Sequence, residues 1–246
     1  MTTVPNPHHS SVTADPVDDR GWSRRGFLTS SVAGMAAGIL AGAGAELVPA
    51  SVARAQTTLS PDAALQQMME GNQRFVEGRM TSFDDDLKIL KAKTAEKQEP
   101  FAALLSCADS RVPVELIFDQ TIGHLFVTRV AGNVASSEII ASLEYGVAVL
   151  GTKAIMVLGH ANCGAVKASI EAKAVPGQIS GLYRYIRPAV DQAGKDLDAA
   201  IKMNAKIQAA LLRESSPVIA DAIEKKQLAV VAAVYDLASG KVSQVD

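Results

Sequence analysis

The stretch "HLFVTRVAGNVASSEIIASLEYGVAVLGTKAIMVLG", residues 124–159, decides the fold class. Its two ends are short apolar runs rich in Val, Ile, Leu and Phe, and its middle, "SSEIIASLEYGVAVLG", has helical spacing of apolar positions. A strand, a helix and a strand in that order implies parallel pairing, because the helix carries the chain back across the sheet. An earlier run, "FAALLS" at 101–106, and a later one, "LAVVAAVYDL" at 228–237, extend the alternation. The expected fold is α/β, with a core sheet of four parallel strands flanked by helices. After the Ser-Gly turn, "KVSQV" returns as a short antiparallel edge strand. "ANCGAVKASIEAKA" (161–174) reads as a turn and a helix, followed by a long helical region from about 178 to 226.

Upstream, "LSPDAALQQMMEGNQRFVEG" (59–78) offers Ser60 as a helix N-cap, Pro61 at the first helical position and Gly71 as a left-handed helix end. The acidic "DDD" of 84–86 is expected to cap a second helix carrying Leu87 and Leu90, which Pro100 breaks. The charges on both helices read as solvated faces.

A chain of 246 residues with 48% hydrophobic content can bury a core, and one domain is the expectation. A formal charge of −2 leaves no electrostatic footprint for nucleic acid or an anionic membrane surface. The first 55 residues have a different texture. "SRRGFLTSSVAGMAAGILAGAGAELVPASVARAQ" (23–56) pairs Arg24 with Arg25 ahead of Phe27 and Leu28, and "ARA" at 53–55 offers small residues for cleavage. This resembles a twin-arginine export signal. An uncleaved anchor is the competing reading, although Glu46 and Pro49 close the apolar stretch early. The expected division is a leader over 1–55 and a catalytic domain over 56–246, periplasmic or secreted and without stable membrane insertion once cleaved.

Cleavage leaves two cysteines and two histidines. "LLSCADSRVP" (104–113) places Cys107, Asp109 and Arg111 after the first apolar run. "LGHANCGAV" (158–166) places His160 and Cys163 after the third. Two thiolates and an imidazole at neighbouring strand ends suit zinc, with a fourth position free. A Cys107–Cys163 disulfide in an exported protein, an ordinary packed histidine and a structural Asp109–Arg111 ion pair are the alternatives the residues leave open.

"CADSRV", "FVTRVAGN", "SLEYGVAVLG" and "GHANCGAV", with "GNQRFVEG" upstream and "AAVYDL" downstream, resemble the β-class carbonic anhydrases over about residues 60–240. The resemblance implies reversible hydration of carbon dioxide to bicarbonate by zinc-bound hydroxide. Its zinc ligands fall on Cys107, His160 and Cys163, and its orienting pair on Asp109 and Arg111. In a second arrangement of the family the aspartate itself becomes a ligand. Gln98, Phe126, Tyr145 and the Gly164 amide correspond to substrate-binding positions. A homodimer or dimer of dimers is implied, with the apolar slot formed in part across a subunit interface. Two thiolates cancel the charge of zinc more than neutral imidazoles do, so activity is expected to rise toward alkaline pH. Export in the folded state would let zinc protect both thiols before they meet an oxidising compartment.

His124 reads as a surface turn residue rather than a proton shuttle. The regulatory bicarbonate site that some bacterial members build with a tryptophan has no counterpart once Trp22 is removed with the leader. A carbon disulfide or carbonyl sulfide hydrolase on the same fold, and a silent bicarbonate- or zinc-binding protein, are the alternative functions.

Overall fold

The computed structural model describes residues 57–82, 91–92 and 94–245. The export signal and the start of the helix expected at "DDD" lie outside the described residues, while Lys91, Ala92 and Thr94 are helical and the helix has ended before Pro100. Helix α1 (Pro61–Val76) starts as expected, with Ser60 Oγ accepting from the Ala63 amide at 3.1 Å and Pro61 at the first position. It does not end at Gly71. A Cβ there would lie 1.8 Å from the Phe118 carbonyl oxygen, so Gly71 permits a close crossing in mid-helix. The left-handed residue comes later, at Gly78.

Strand β1 (Ala102–Ser106), the short helix α2 (Val114–Ile117), β2 (Leu125–Arg129), α3 (Ser137–Ala148), β3 (Ala154–His160) and α4 (Gly164–Glu171) follow in order. The long helical region resolves into a 3₁₀ turn (Ile179–Leu182), α5 (Tyr183–Ala193), α6 (Leu197–Ser215) and α7 (Pro217–Glu224). It breaks where Gly194 takes φ +70° and where Ser216 precedes Pro217. Asp196 caps α6 by accepting from the Ala199 amide at 2.9 Å, and Ser216 Oγ caps α7 by accepting from Ile219 at 3.1 Å. Strands β4 (Ala229–Tyr235) and β5 (Val242–Gln244) close the chain.

The sheet order is β2-β1-β3-β4-β5, and the strands are parallel except for the antiparallel β4–β5 edge pair, the pairing expected from the sequence. All five residues of β1 and all seven of β3 are buried, which is what central parallel strands covered on both faces require. Their residues alternate between two cores. Leu104, Met156 and Leu158 pack with Met68 of α1 and Ile117 of α2, while Leu105, Ile155 and Val157 pack with Leu143 of α3 and Leu212 of α6.

Buried Asn72 joins α1 to both ends of this arrangement. Its Nδ2 donates to the Ile117 carbonyl at 3.1 Å and the Gly240 carbonyl at 2.9 Å, and its Oδ1 accepts from the Val242 amide at 2.8 Å. An apolar replacement would leave those buried backbone groups unpaired.

The strand order also positions the site. From β1 the chain moves outward to β2, then jumps back to β3 on the other side of β1 and continues to β4. The carboxyl ends of β1 and β3 therefore flank the crevice where the winding reverses, the place where open α/β sheets bind ligands. Cys107 follows β1, and His160 is the last residue of β3.

Candidate metal centre

Parallel register sets Ser106 beside Leu158, which brings the residues just beyond the two strands together. The sulfurs of Cys107 and Cys163 and a ring nitrogen of His160 lie within 4.8 Å of one another, and all three residues are buried. The cysteines are free thiols, so the disulfide reading gives way to a three-donor cluster.

Each donor is aimed by its own element. His160 is 0% exposed, and its Nδ1 lies 2.9 Å from the Ala161 carbonyl oxygen. A carbonyl only accepts, so Nδ1 carries the proton and the Nε2 lone pair is left free. Nε2 is buried without a partner among the described residues, a cost that a cation would remove. Asn162, at φ +55°, turns the chain so that Cys163 becomes the N-cap of α4, where the helix dipole favours a thiolate.

A hydrogen bond from the Cys163 thiol lowers the pKa of Cys107, against the opposing effect of burial, and the Gly132 amide lowers it further. Cys163 is pushed up by the same sharing and by burial. Without a cation the pair keeps a proton, and a cation is what lets both sulfurs ionise together. Two thiolates and an imidazole on a base of Val134, Val166 and Ile201 fit zinc.

Asp109 and Arg111 stand beside this cluster. Arg111 Nε donates to Asp109 Oδ1 at 2.9 Å, Nη2 donates to Oδ2 at 2.8 Å, and the Arg111 amide donates to Oδ1 at 2.9 Å. These bonds hold the carboxyl well below the usual carboxylate range despite some burial. Asp109 Oδ2 lies 3.9 Å from His160 Nε2. In this arrangement Asp109 is turned to the guanidinium. Arg111 also reaches the Asn162 carbonyl at 3.4 Å, tying the β1 loop to the β3 loop.

The remaining expected residues divide between two places. Gly164 begins α4 next to Cys163, and a Cβ on it would meet nothing within 4 Å, so there is open space over the first turn. Gln98 and Tyr145 line a surface cavity of about 480 Å³ together with Val149 and Leu150. Phe126 stacks obliquely on Tyr145, with ring centroids 6.2 Å apart. Phe126 pairs with Ala103, four residues before Cys107. At ~3.3 Å per strand residue, that is roughly 13 Å along the sheet from the chain's own cluster. His124 lies at the amino end of β2, edge-on to Phe101 and 3.3 Å from Gln120 Oε1. It is at the wrong end of the sheet to relay protons from this cluster.

Sequence reading missed Arg129 and Gly132. Arg129 Nε donates to the Cys107 carbonyl at 2.9 Å and Nη2 to the Asp109 carbonyl at 2.5 Å, bracing the loop between them. The Gly132 amide donates to Cys107 Sγ at 3.3 Å. An arginine ending an apolar strand at its carboxyl end was the available signal for Arg129.

The family model described as carbonic anhydrase matches residues 102–242, which contain the whole cluster. The chain belongs to the carbonic anhydrase family. Carbonic anhydrase 2 of Mycobacterium tuberculosis (strain ATCC 25618 / H37Rv) is 36% identical over 190 residues, covering 74% of this chain and 91% of that protein. A carbonic anhydrase of Pseudomonas aeruginosa is 36% identical over 168 residues, covering 62% of this chain and 76% of its own length. Among solved structures, the β-carbonic anhydrase CcaA aligns with a TM-score of 0.59 at 28% identity, over 74% of this chain and 95% of that one. Coccomyxa β-carbonic anhydrase in complex with acetazolamide aligns with a TM-score of 0.58 at 28% identity, over 74% and 86%. The class is therefore β, and β-carbonic anhydrases use zinc.

Proposed function

We infer that this carbonic anhydrase catalyses the reversible hydration of carbon dioxide, with zinc held by Cys107, His160 and Cys163. The observation that carries the assignment is the buried three-donor cluster at the β1–β3 crevice, with His160 Nε2 unpaired. Zinc bound there supplies Lewis acidity that lets water ionise near neutral pH, the chemistry for which the three-histidine carbonic anhydrases are the reference case.

The chain's own residues do the rest. Asp109 Oδ2 accepts a hydrogen bond from the attacking oxygen and so turns that oxygen's lone pair toward the carbon. Arg111 keeps that carboxylate ionised and fixes its plane. The amide of Gly164, at the start of α4 with open space before it, donates to an oxygen of carbon dioxide or bicarbonate. Stopped-flow hydration on zinc-loaded protein tests the reading. Turnover rising from neutral to alkaline pH is expected, and zinc-loaded protein without turnover anywhere in that range overturns it.

Gln98, Phe126 and Tyr145 are proposed to wall the apolar slot of a second copy in a homodimer. This is supported by their distance from the chain's own cluster and by Tyr145 being 47% exposed. Residues 1–55 are proposed to direct export through the twin-arginine route to the periplasm or medium, on the pattern around Arg24 and Arg25. The R24K/R25K double variant is expected to stay in the cytoplasm on cell fractionation, and export equal to the native chain overturns the assignment.

A further inference from the structure

Two carboxamides on α6 sit where an amphipathic helix would ordinarily place apolar residues. Asn204 and Gln208 are each 1% exposed, and they share the buried stripe of Ala200, Ile201, Ala205, Ala209 and Leu212. They are four residues apart, so they lie one above the other on one face. Both reach the loop that leaves β2. Asn204 Nδ2 donates to the Gly132 carbonyl at 2.9 Å, and Gln208 Oε1 accepts from the Ala135 amide at 2.9 Å. Gln208 Nε2 donates to Asn204 Oδ1 at 3.3 Å and to the Tyr185 carbonyl at 3.0 Å, so the pair is tied to itself and to α5.

The loop between these two contacts takes an unusual backbone path. Gly132 and Asn133 are consecutive left-handed residues, at φ +75° and +44°. A Cβ on Gly132 would lie 2.7 Å from Ile186 Cδ1, so the turn is pressed tightly against α5. The amide of Gly132 is the group that donates to Cys107 Sγ. Asn204 therefore grips the carbonyl of the same residue whose N–H meets the sulfur.

We propose that Asn204, braced by Gln208, is a positioning residue of the metal centre, holding the Gly132 amide against Cys107 Sγ and thereby drawing electron density from that thiolate. A thiolate that accepts a hydrogen bond is a weaker donor, so the device offsets part of the charge that two sulfurs give the metal and preserves its acidity. The proposal rests on Cys107 being a ligand, and the test separates the two claims.

In native protein loaded with cadmium-113, scalar coupling from the metal to the Cys107 Hβ protons reports the ligand, and coupling to the Gly132 amide proton reports the hydrogen bond. Both are expected. Absence of the first overturns the ligand reading, and presence of the first without the second overturns the proposal whatever the variants do. In N204A the Gly132 coupling is expected to vanish. The thiolate-to-metal charge-transfer band of the cobalt-loaded protein is expected to move to longer wavelength, as the thiolate becomes the stronger donor, while zinc affinity in chelator competition is expected to fall about 10-fold or more because the lost positioning of the Cys107 loop outweighs that gain. N204D, which keeps the side-chain shape and replaces the donor by an acceptor, is expected to shift the band in the same direction. If folded N204A or N204D melts earlier but keeps the native band and affinity, Asn204 is merely structural and the proposal fails.

Discussion

Replacing Cys163 by serine removes zinc and carbon dioxide hydration together while leaving the fold in place. Cys163 is the N-cap of α4, and serine is among the best N-cap residues, so the helix keeps its start. The side chain is also close in volume to the one it replaces. The donor changes completely, because a serine hydroxyl does not ionise near neutral pH and is a poorer partner for zinc than a thiolate. One imidazole and one thiolate remain, Cys107 and His160, on a wall otherwise apolar. The loss of affinity should exceed the about 10–100-fold typical of removing an outer partner of a ligand. Metal analysis after dialysis against a weak chelator, circular dichroism and stopped-flow hydration measure the three quantities on one sample. A C163S protein that keeps both stoichiometric zinc and hydration overturns the ligand assignment, and so does active native protein with Cys107 and Cys163 joined as a disulfide.

The fold was legible because its central strands are apolar throughout and evenly interrupted. "FAALLS", "HLFVTRV" and "KAIMVLG" mark β1, β2 and β3 within a residue or two, and the Ser-Gly turn marks the return of β5. The order of strands in the sheet is a long-range property, and composition does not encode that β3 returns beside β1. Gly71 shows how local reading fails: glycine after an apolar stretch has the features of a helix end, and its actual cause is a carbonyl oxygen 47 residues away that leaves no room for a Cβ. The metal donors were visible as a pair of short motifs because cysteine and histidine are scarce in this chain. The loop around Gly132 was invisible for the opposite reason. Asn204 and Gln208 are ordinary polar residues in a helix until the structure shows which face is buried. At that point two carboxamides in an apolar stripe require partners, and among the partners is Gly132, whose amide touches Cys107.

Substituting Asp109 by asparagine lowers kcat/KM by about 10²–10³ with zinc retained, the range expected when one group that acts on the developing charge or the transferred proton is lost. Asparagine keeps the shape but not the charge, so it accepts the orienting hydrogen bond more weakly and loses the charge-assisted pair with Arg111. Arg111→Ala reaches a similar loss by another route, removing the two guanidinium donors that now fix the plane of the carboxylate and leaving the backbone amide at residue 111 as the one that remains of the three. Because the two residues act as one unit, the double variant should be little worse than either single one.

The pH dependence separates them. In the native protein Arg111 keeps the Asp109 carboxyl well below its ordinary range, so Asp109 stays ionised and contributes no acid limb to activity above about pH 5. Removing Arg111 raises that value toward the ordinary carboxylate range or beyond it, because burial then acts unopposed by the guanidinium. The acid limb of R111A should accordingly move up relative to native, while D109N shows no such limb. R111K, which offers one ammonium in place of a bidentate fork, should fall between native and R111A in both rate and limb position. Additive losses in the double variant, or identical acid limbs in native and R111A, would mean that Asp109 and Arg111 act separately and that the bidentate pair is a surface ion pair without a part in the reaction.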